Sequence, residues 1–241
     1  MKIFKIKIEN YRLLKKFSID LEDELSLVIG KNNTGKTSIL TALDKFLNFD
    51  KTKFSLDDFN IDFKKSLKAL VETEIDIPEN DFNGYNGLGI KMKLFIEYGV
   101  RDNLANINRV MMDLDPANNV LVLGFDYVLD YSHYIKLKRD YSAFKTAEGA
   151  KKVVDPTYEI KCLYDFLKLN HSDYFKVFRK TMEFDQATKK EDEAKFIDLI
   201  KEKINIKDII NFKYISAKRE VANSDSDKTL SAQTSKIYEK T

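Results

Sequence analysis

The sequence is poor in the residues that build disulfides, metal sites and tight turns. Its one cysteine, Cys162, has no second cysteine with which to form an intramolecular disulfide, and only two histidines accompany it. These counts exclude a disulfide scaffold and a zinc-type ligand cluster, and they favour a reducing cytoplasm. Eight glycines and three prolines in 241 residues indicate long regular elements with few tight turns.

Long hydrophobic runs are also missing. No apolar stretch approaches the roughly 20 residues that a membrane-spanning helix needs. The N-terminus alternates charged and apolar residues, whereas a secretion signal requires a continuous apolar segment. The sequence therefore predicts a cytoplasmic protein with no membrane partner.

Neither sign of charge dominates the chain. It has 41 Lys and Arg against 39 Asp and Glu, which gives a net charge of +2. Bulk electrostatics therefore do not predict nucleic-acid binding, and any contact with DNA needs a local basic patch. The candidates are Lys136, Lys138 and Arg139 at the end of a predicted strand, with Lys151 and Lys152 nearby, although runs of this kind are usually solvated surface.

Hydrophobic periodicity predicts a strand pair, a buried strand and a helix near the N-terminus. Residues 2–9 and 17–21 alternate apolar with polar side chains, which is the pattern of two half-buried strands in an antiparallel pair. Residues 25–29 are almost continuously apolar and predict a strand buried on both faces. Residues 36–47 carry apolar side chains at helical spacing, so an amphipathic helix should follow.

The middle of the chain is predicted to be rich in β-strands. Alternation of apolar and polar residues recurs without an intervening helical pattern, which favours antiparallel pairing. The predicted strands are residues 71–77, 90–96, 119–128 and 134–138.

The pattern then changes to helices between residues 158 and 203. One apolar stripe is formed by Leu163, Phe166 and Leu167, and a second by Phe196, Leu199 and Ile200. The charged residues 189–193 fit the solvated start of a helix. Residues 212–216 are predicted to form a return strand.

Residues 30–37, G-K-N-N-T-G-K-T, match the pattern G-x-x-x-x-G-K-[ST] of the Walker A phosphate-binding loop. The two glycines permit backbone angles and a close approach that side chains would block, so successive N–H groups can point at phosphate oxygens. Lys36 is predicted to bridge the β- and γ-phosphates and is the catalytic candidate. Thr37 is predicted to place its hydroxyl on Mg²⁺, while the helix N-terminus adds partial positive charge.

The motif predicts both the ligand and the residues that bind it. No N-K-x-D or T-K-x-D motif stands in the sequence to read a guanine base, so ATP with Mg²⁺ is the expected ligand. The alternative is a structural turn capped by a lysine, but the flanking strand and helix patterns favour a nucleotide site. The predicted cradle consists of Gly30, Asn32, Asn33, Thr34, Gly35, Lys36, Thr37 and Ser38.

The order of these motifs resembles one group of ATPases. I-E-N-Y-R at residues 8–12 and F-S-I-D-L at residues 17–21 place an antiparallel pair before the loop. Residues 5–47 resemble the N-terminus of RecF, SMC and OLD-family ATPases, and the double asparagine in the loop favours the OLD branch. S-L-D-D-F at residues 55–59 and Y-I-S-A-K-R-E-V at residues 214–221 are similar to segments of OLD-type nucleases.

The resemblance implies an α/β fold, a P-loop NTPase of the ABC type with an antiparallel β subdomain and a helical insertion. It also implies that Arg12 lies near the nucleotide and that Lys218 and Arg219 follow a strand at the Q-loop position. The alternative for these three residues is that they are exposed basic side chains at strand ends. A homodimer formed through the ATP site is implied as well, with DNA as a partner of the full-length protein.

Four segments are predicted on this basis. They are a P-loop unit at residues 1–60, a β-rich subdomain at 61–140, a helical insertion at 141–205, and a return strand with the start of a further segment at 206–241.

An ABC-type site also needs an apolar strand that ends in Asp-Glu, the Walker B motif, and the sequence contains no convincing copy. L-S-A-Q at residues 230–233 resembles the signature motif only faintly, because the glycine pair is missing. The chain is therefore interpreted as the front part of a larger ATPase, and hydrolysis is expected only in a longer protein or a dimer.

Three functions remain open from the sequence. The first is the ATPase domain of an OLD-like DNA-processing enzyme, acting in DNA repair or antiphage defence, in which ATP controls dimer state and nuclease access. The second is a nucleotide-gated DNA clamp resembling SMC or RecF proteins, without nuclease activity. The third is a degenerate ATP-binding protein that works as a partner subunit.

Overall fold

A computed structural model describes residues 1–31, 34–49, 53–82, 87–99, 101–113 and 118–215. Within these ranges, six strands form one antiparallel sheet in the order β2-β1-β3-β4-β5-β6. The strands are β1 (Lys2–Tyr11), β2 (Leu14–Asp20), β3 (Leu88–Glu97), β4 (Val120–Leu129), β5 (Phe175–Asp185) and β6 (Lys190–Asp198).

The N-terminal hairpin confirms the predicted antiparallel pair. Ile8 of β1 lies opposite Phe17 of β2, and the pairing continues to Tyr11 opposite Leu14 at the turn. Alternate side chains of β1, such as those of Ile6 and Ile8, are buried. The period-two pattern therefore predicts correctly both that this segment is a strand and which of its faces is buried in the core.

Five α-helices accompany the sheet in the described ranges. They are α1 (Lys36–Leu47), α2 (Ile61–Glu72), α3 (Glu79–Phe82), α4 (Tyr131–Val154) and α5 (Leu163–Tyr174). Their apolar side chains share one core with one face of the sheet, where Phe46 of α1 lies 6.1 Å from Phe125 of β4 between ring centroids. None of the helices in the described part of the chain combines the length and the apolar character needed to cross a bilayer.

Several predicted elements agree with the structure. Helix α1 has the predicted bounds, and strands β3 and β4 cover the predicted residues 90–96 and most of 119–128. The apolar stripe of Leu163, Phe166 and Leu167 lies on α5. The fold is thus a mixed α/β fold built on an antiparallel sheet.

The predicted buried strand at residues 25–29 is wrong for the described structure. This segment has no regular secondary structure, and the side chains of Leu25 and Ile29 are 79% and 81% exposed. A strand buried on both faces requires neighbouring strands to hydrogen-bond with its backbone. No strand within the described ranges pairs with residues 25–29, so the apolar run remains uncovered there.

The other two predicted strands in the middle of the chain do not form. Residues 134–138 are helical, whereas of residues 71–77 only the first two end a helix and 73–77 lie in neither helix nor strand. Val71 belongs to α2, where it follows Phe63 and Leu67 at intervals of four residues along the buried face. Residues 134–138 lie in α4. Asp130 is the N-cap of this helix, and its side chain accepts a hydrogen bond from the backbone N–H of His133. In residues 134–138, a short alternation of apolar and polar residues is thus part of a longer segment with helical spacing, and the longer pattern gives the correct element.

The predicted second helix between residues 158 and 203 is wrong as well. Residues 190–198 form β6, and Lys189 adopts a positive φ of 56° in the turn that joins it to β5. Residues 211–215 have no regular structure, and the rest of the predicted return strand lies outside the described residues. One sheet therefore takes strands from the first three predicted segments.

Candidate nucleotide-binding site

Lys36, the first residue of α1, folds its ammonium group back onto the residues that begin the Walker A sequence. Lys36 Nζ donates hydrogen bonds to the backbone carbonyls of Gly30 and Lys31. Thr34 Oγ1 also donates to the Lys31 carbonyl, at 2.9 Å. Gly30, Lys31 and Thr34 are exposed, so the loop is open to solvent on this side.

Gly35 sets the start of α1. Its φ of 92° and ψ of 6° lie in the left-handed region, which residues with a side chain rarely adopt. A Cβ at this position would approach Leu14 Cδ2 to 3.0 Å. The sequence motif therefore has glycine where the backbone requires it.

The first turn of α1 suits an anion. The first N–H groups of a helix have no intrahelical partners, and the helix dipole places partial positive charge there. The first turn contains no acidic residue that would compete for these groups. Thr37 is exposed at this turn, whereas Ser38 is buried.

The turn between β1 and β2, residues 11–14, packs against the loop and is called here the hairpin tip. Tyr11 Oη donates to Thr41 Oγ1 at 3.2 Å, and that hydroxyl donates to the Thr37 carbonyl at 3.0 Å. Burial raises the pKa of Tyr11 to about 12, so it stays a neutral donor. The tip is thereby bonded to the first turns of α1.

Arg12 lies in the hairpin tip and is paired with a buried carboxylate. Its Nε and Nη2 donate to Asp58 Oδ1 at 3.0 and 2.9 Å. Lys45 Nζ contacts Asp58 Oδ2 at 2.8 Å, and the Ser55 backbone N–H donates to the same oxygen at 2.8 Å. Burial raises the pKa of Asp58, but donation from Lys45, Ser55 and Arg12 outweighs it and lowers the pKa below its usual range.

The structure brings most of the predicted site residues together. Gly30, Thr34, Gly35, Lys36 and Thr37 surround the start of α1, with Ser38 behind them. Arg12 lies on the neighbouring turn. The predicted residues Asn32, Asn33, Lys218 and Arg219 lie outside the described residues.

Sequence reasoning gave no role to Asp58, Lys45, Tyr11 or Thr41. Asp58 belongs to the S-L-D-D-F segment that carries part of the family resemblance, and this was the one signal that pointed to it. Its partner Arg12 is 46 residues away in the chain, so no local pattern joins the two.

The candidate basic patch lies on helix α4 instead of at a strand end. Lys138 Nζ is 2.5 Å from Asp76 Oδ1, Arg139 is 3.0 Å from Asp140, and Lys151 is 2.7 Å from Glu148. These three charges have carboxylate partners, whereas Lys136 lies over the Tyr174 ring and Lys152 donates to the backbone carbonyls of Pro156 and Tyr158.

Metal binding by a preformed cluster is not seen in the part of the chain that the structure describes. No group of three or more His, Cys, Asp or Glu side chains is arranged there to hold an ion. Mg²⁺ at phosphate sites is held largely by phosphate oxygens and water, with few protein ligands. The exposed hydroxyl of Thr37 fits that role beside a bound polyphosphate.

Comparison with known proteins agrees with this geometry. Residues 1–241 match the AAA ATPase domain family. Endonuclease GajA of Bacillus cereus (strain HuB5-5) is 32% identical over 109 residues, which cover 43% of this chain and 16% of that protein. DNA replication and repair protein RecF of Rickettsia rickettsii (strain Sheila Smith) is 24% identical over 153 residues, which cover 52% of this chain and 42% of that protein.

The chain spans less than half the length of these curated relatives in either alignment. The family match, in contrast, extends over the whole sequence. A phosphate loop at the start of a helix and a mixed α/β fold are both consistent with a P-loop NTPase. The chain therefore belongs to the AAA ATPase domain family.

Proposed function

We propose that this chain binds ATP with Mg²⁺ at the phosphate loop, as the ATPase domain of an OLD-like enzyme that processes DNA. The observation that carries the proposal is the arrangement of Gly35, Lys36 and Thr37 at the start of α1. Three features meet there: a glycine in the left-handed conformation, a lysine ammonium folded over the loop, and a helix N-terminus without acidic residues. This combination suits the negative charge of a polyphosphate.

The chemistry proposed for the site is phosphoryl transfer to water, which proteins catalyse chiefly by positioning and charge stabilisation. Lys36 would exchange its carbonyl partners for phosphate oxygens and neutralise charge on the transferred group. Mg²⁺ would supply further neutralisation, with Thr37 as a protein ligand. Arg12 would add a contact from the hairpin tip, and the cradle would be completed by Gly30, Asn32, Asn33, Thr34 and Ser38.

Hydrolysis and DNA processing are proposed for a homodimer or a longer protein. The sequence contains no convincing Walker B pair, so acidic groups from elsewhere would have to orient the attacking water. The exposed side of the loop leaves room for a second subunit. In this proposal, ATP occupancy controls dimer geometry and nuclease access, and the similarity to an endonuclease supports the choice of DNA as substrate.

The similarity to RecF favours a second candidate, a nucleotide-gated DNA clamp without nuclease activity. Assays of ATP turnover, DNA retention and DNA cleavage separate the candidates. ATP-dependent cleavage supports the nuclease, and ATP-dependent retention of intact DNA supports the clamp. Turnover that appears only with another subunit present supports a degenerate ATP-binding partner.

Replacement of the loop lysine tests ATP binding directly. Lys36→Ala should weaken Mg-ATP binding at least about tenfold by calorimetry, because hydrogen bonds to charged groups contribute about 1.5–3 kcal/mol. Lys31→Ala is the matched control, since its side chain is exposed in the same loop and its backbone carbonyl survives the change. Unchanged affinity in Lys36→Ala would remove Lys36 from the site.

A further inference from the structure

Asp58 connects three parts of the molecule through one buried carboxylate. It ends the short 3-10 helix Leu56–Asp58, and its side chain is 1% exposed. Oδ1 accepts from Arg12 of the hairpin tip, while Oδ2 contacts Lys45 of α1. Two cations on one buried anion form a charge-assisted network whose geometry is fixed more tightly than that of an exposed pair.

The backbone of the hairpin tip is held by the same segment. Arg12 N donates to the Asp58 carbonyl at 2.7 Å, and Asn60 Nδ2 donates to the Arg12 carbonyl at 2.6 Å. Asn60 N donates to the Asn10 carbonyl at 2.8 Å. The position of Arg12 is therefore determined through both its backbone and its side chain.

Arg12 adopts a left-handed conformation that is unfavourable for arginine. Its φ is 47°, in a region that glycine, asparagine and aspartate occupy at lower cost. Backbone strain of this kind persists where the surrounding structure over-determines it, and it concentrates at functional sites. In Arg12, the contacts from Asp58 and Asn60 hold this conformation in place.

Within the described residues, the contacts of the guanidinium do not use all of its donors. Arginine carries five N–H donors, and the two bonds to Asp58 engage one on Nε and one on Nη2. The side chain is 39% exposed. The next residues of the tip, Leu13 and Leu14, pack against Gly35 of the phosphate loop. Arg12 thus stands on the turn that touches the loop, and the two bonds to Asp58 do not use all of its donors.

We propose that Asp58 is a positioning residue that fixes the Arg12 guanidinium beside the phosphate loop, so that Arg12 can contribute positive charge to a bound nucleoside triphosphate. This inference rests on the proposed nucleotide site. Asp58 itself does not contact the nucleotide. It acts through Arg12, which binds Oδ1, whereas Lys45 contacts the other carboxylate oxygen, Oδ2.

A double-mutant cycle tests the inference in the intact chain, with Mg-ATP affinity measured by calorimetry. Asp58→Asn and Arg12→Ala should each weaken binding about tenfold, since residues in one charged network couple strongly. The double variant should bind no more weakly than Arg12→Ala alone. Wild-type affinity in Asp58→Asn, or losses that multiply in the double variant, would overturn the positioning role.

Two further variants separate positioning from folding. Lys45→Met breaks the other side of the Asp58 network and should lower the melting temperature while changing ATP affinity less than about twofold. A loss of affinity as large as that of Asp58→Asn would show that general integrity of the network, and not Arg12, sets binding. Asp62→Asn is the matched control, because Asp62 also pairs with the hairpin, through Lys15 at 2.9 Å, but is exposed.

Failure of the inference can be told from failure of the nucleotide site itself. If the wild-type chain does not bind Mg-ATP, or if Lys36→Ala binds it equally well, the proposed site is wrong. If the wild type binds and Lys36→Ala does not, the nucleotide site stands. Losses of affinity that multiply in the Arg12 and Asp58 double variant then contradict only the positioning role of Asp58.

Discussion

Gly35 shows at the scale of one residue how the motif and the fold depend on each other. Its positive φ ends the loop and starts α1, and its missing side chain lets Leu14 of the hairpin approach. Both requirements exclude an ordinary L residue. The glycine therefore serves the packing of the hairpin as well as the proposed phosphate cradle.

Gly35→Ala should destabilise the folded chain by about 1–2 kcal/mol, because alanine in the left-handed region is strained and its Cβ would meet Leu14 Cδ2 at 3.0 Å. Thermal unfolding measures the effect. Gly149→Ala is the opposite control, since a Cβ there meets no atom within 4 Å inside α4 and should stabilise by about 0.5–1 kcal/mol. Equal melting temperatures for Gly35→Ala and the wild type would contradict the strain argument.

At the scale of single residues, a short contiguous motif predicts which residues lie together, while their binding of a nucleotide stays a prediction. The positions of Gly35, Lys36 and Thr37 follow from a pattern of eight consecutive residues, and the structure places them together at a helix start. The role of Asp58 was not predictable in this way. Its partners, Arg12 and Lys45, lie in other elements, and only the folded chain brings them together.

At the scale of elements, the sequence predicted best where one periodicity was unambiguous. Strand β3 and helix α1 have long regular patterns and were predicted correctly. In α4, alternation over residues 134–138 coincided with helical spacing, because Tyr134, Leu137 and Tyr141 are also buried on one side of the helix. The segment at residues 25–29 shows a further limit, since a buried strand depends on partners that its own sequence does not specify.

Helix α4 carries a buried carboxylate, Glu148, in its C-terminal part, and this carboxylate binds the segment that follows the helix. Glu148 accepts from Lys151 Nζ at 2.7 Å, from Tyr158 Oη at 2.8 Å and from the Lys161 backbone at 3.0 Å. Donation from Lys151 leads these contacts in lowering the pKa of Glu148 to about 2. The ionised carboxylate therefore joins the end of α4 to the residues that lead into α5.

Glu148→Gln should loosen the connection between α4 and α5, because a neutral amide accepts these bonds less strongly. Hydrogen exchange of the Lys161 amide should become faster than in the wild type, while exchange in β3 stays unchanged. Glu159→Gln, an exposed change in the same connection, should leave the Lys161 amide protected. Slow exchange in both variants would show that other contacts hold the connection.

At the scale of the whole molecule, the sheet face opposite the helices carries a small apolar cluster and a charged network. Phe95, Val122, Met182 and Phe184 form the cluster. Beside it, Glu191 of β6 accepts from Lys7 of β1 and Lys93 of β3, each at 2.9 Å. These ion pairs join the edge strand β6 to β1 and β3, which are not its neighbours in the sheet.

This network makes stability depend on acid pH. Burial raises the pKa of Glu191, but hydrogen bonds from Lys93 and Lys7 outweigh it and lower the pKa to about 2, against an ordinary value of 4.5. A carboxylate with a lowered folded-state pKa stabilises the protein above its unfolded-state pKa, and the benefit is lost as pH falls through the folded-state value. The contribution, on the order of 1–3 kcal/mol, should therefore decline between about pH 4.5 and 2.

Glu191→Gln removes this ionisable group and should reduce the dependence of stability on pH. Thermal unfolding at pH 6 and pH 3 should show a smaller loss of melting temperature in the variant than in the wild type, with most of the variant's deficit already present at pH 6. Glu183→Gln is the control, because Glu183 pairs with the exposed Lys195 at 2.9 Å and lies nearer to solvent. It should keep the wild-type pH dependence, since exposed pairs contribute little. Equal losses in the wild type and Glu191→Gln would place the acid-sensitive group elsewhere in the fold.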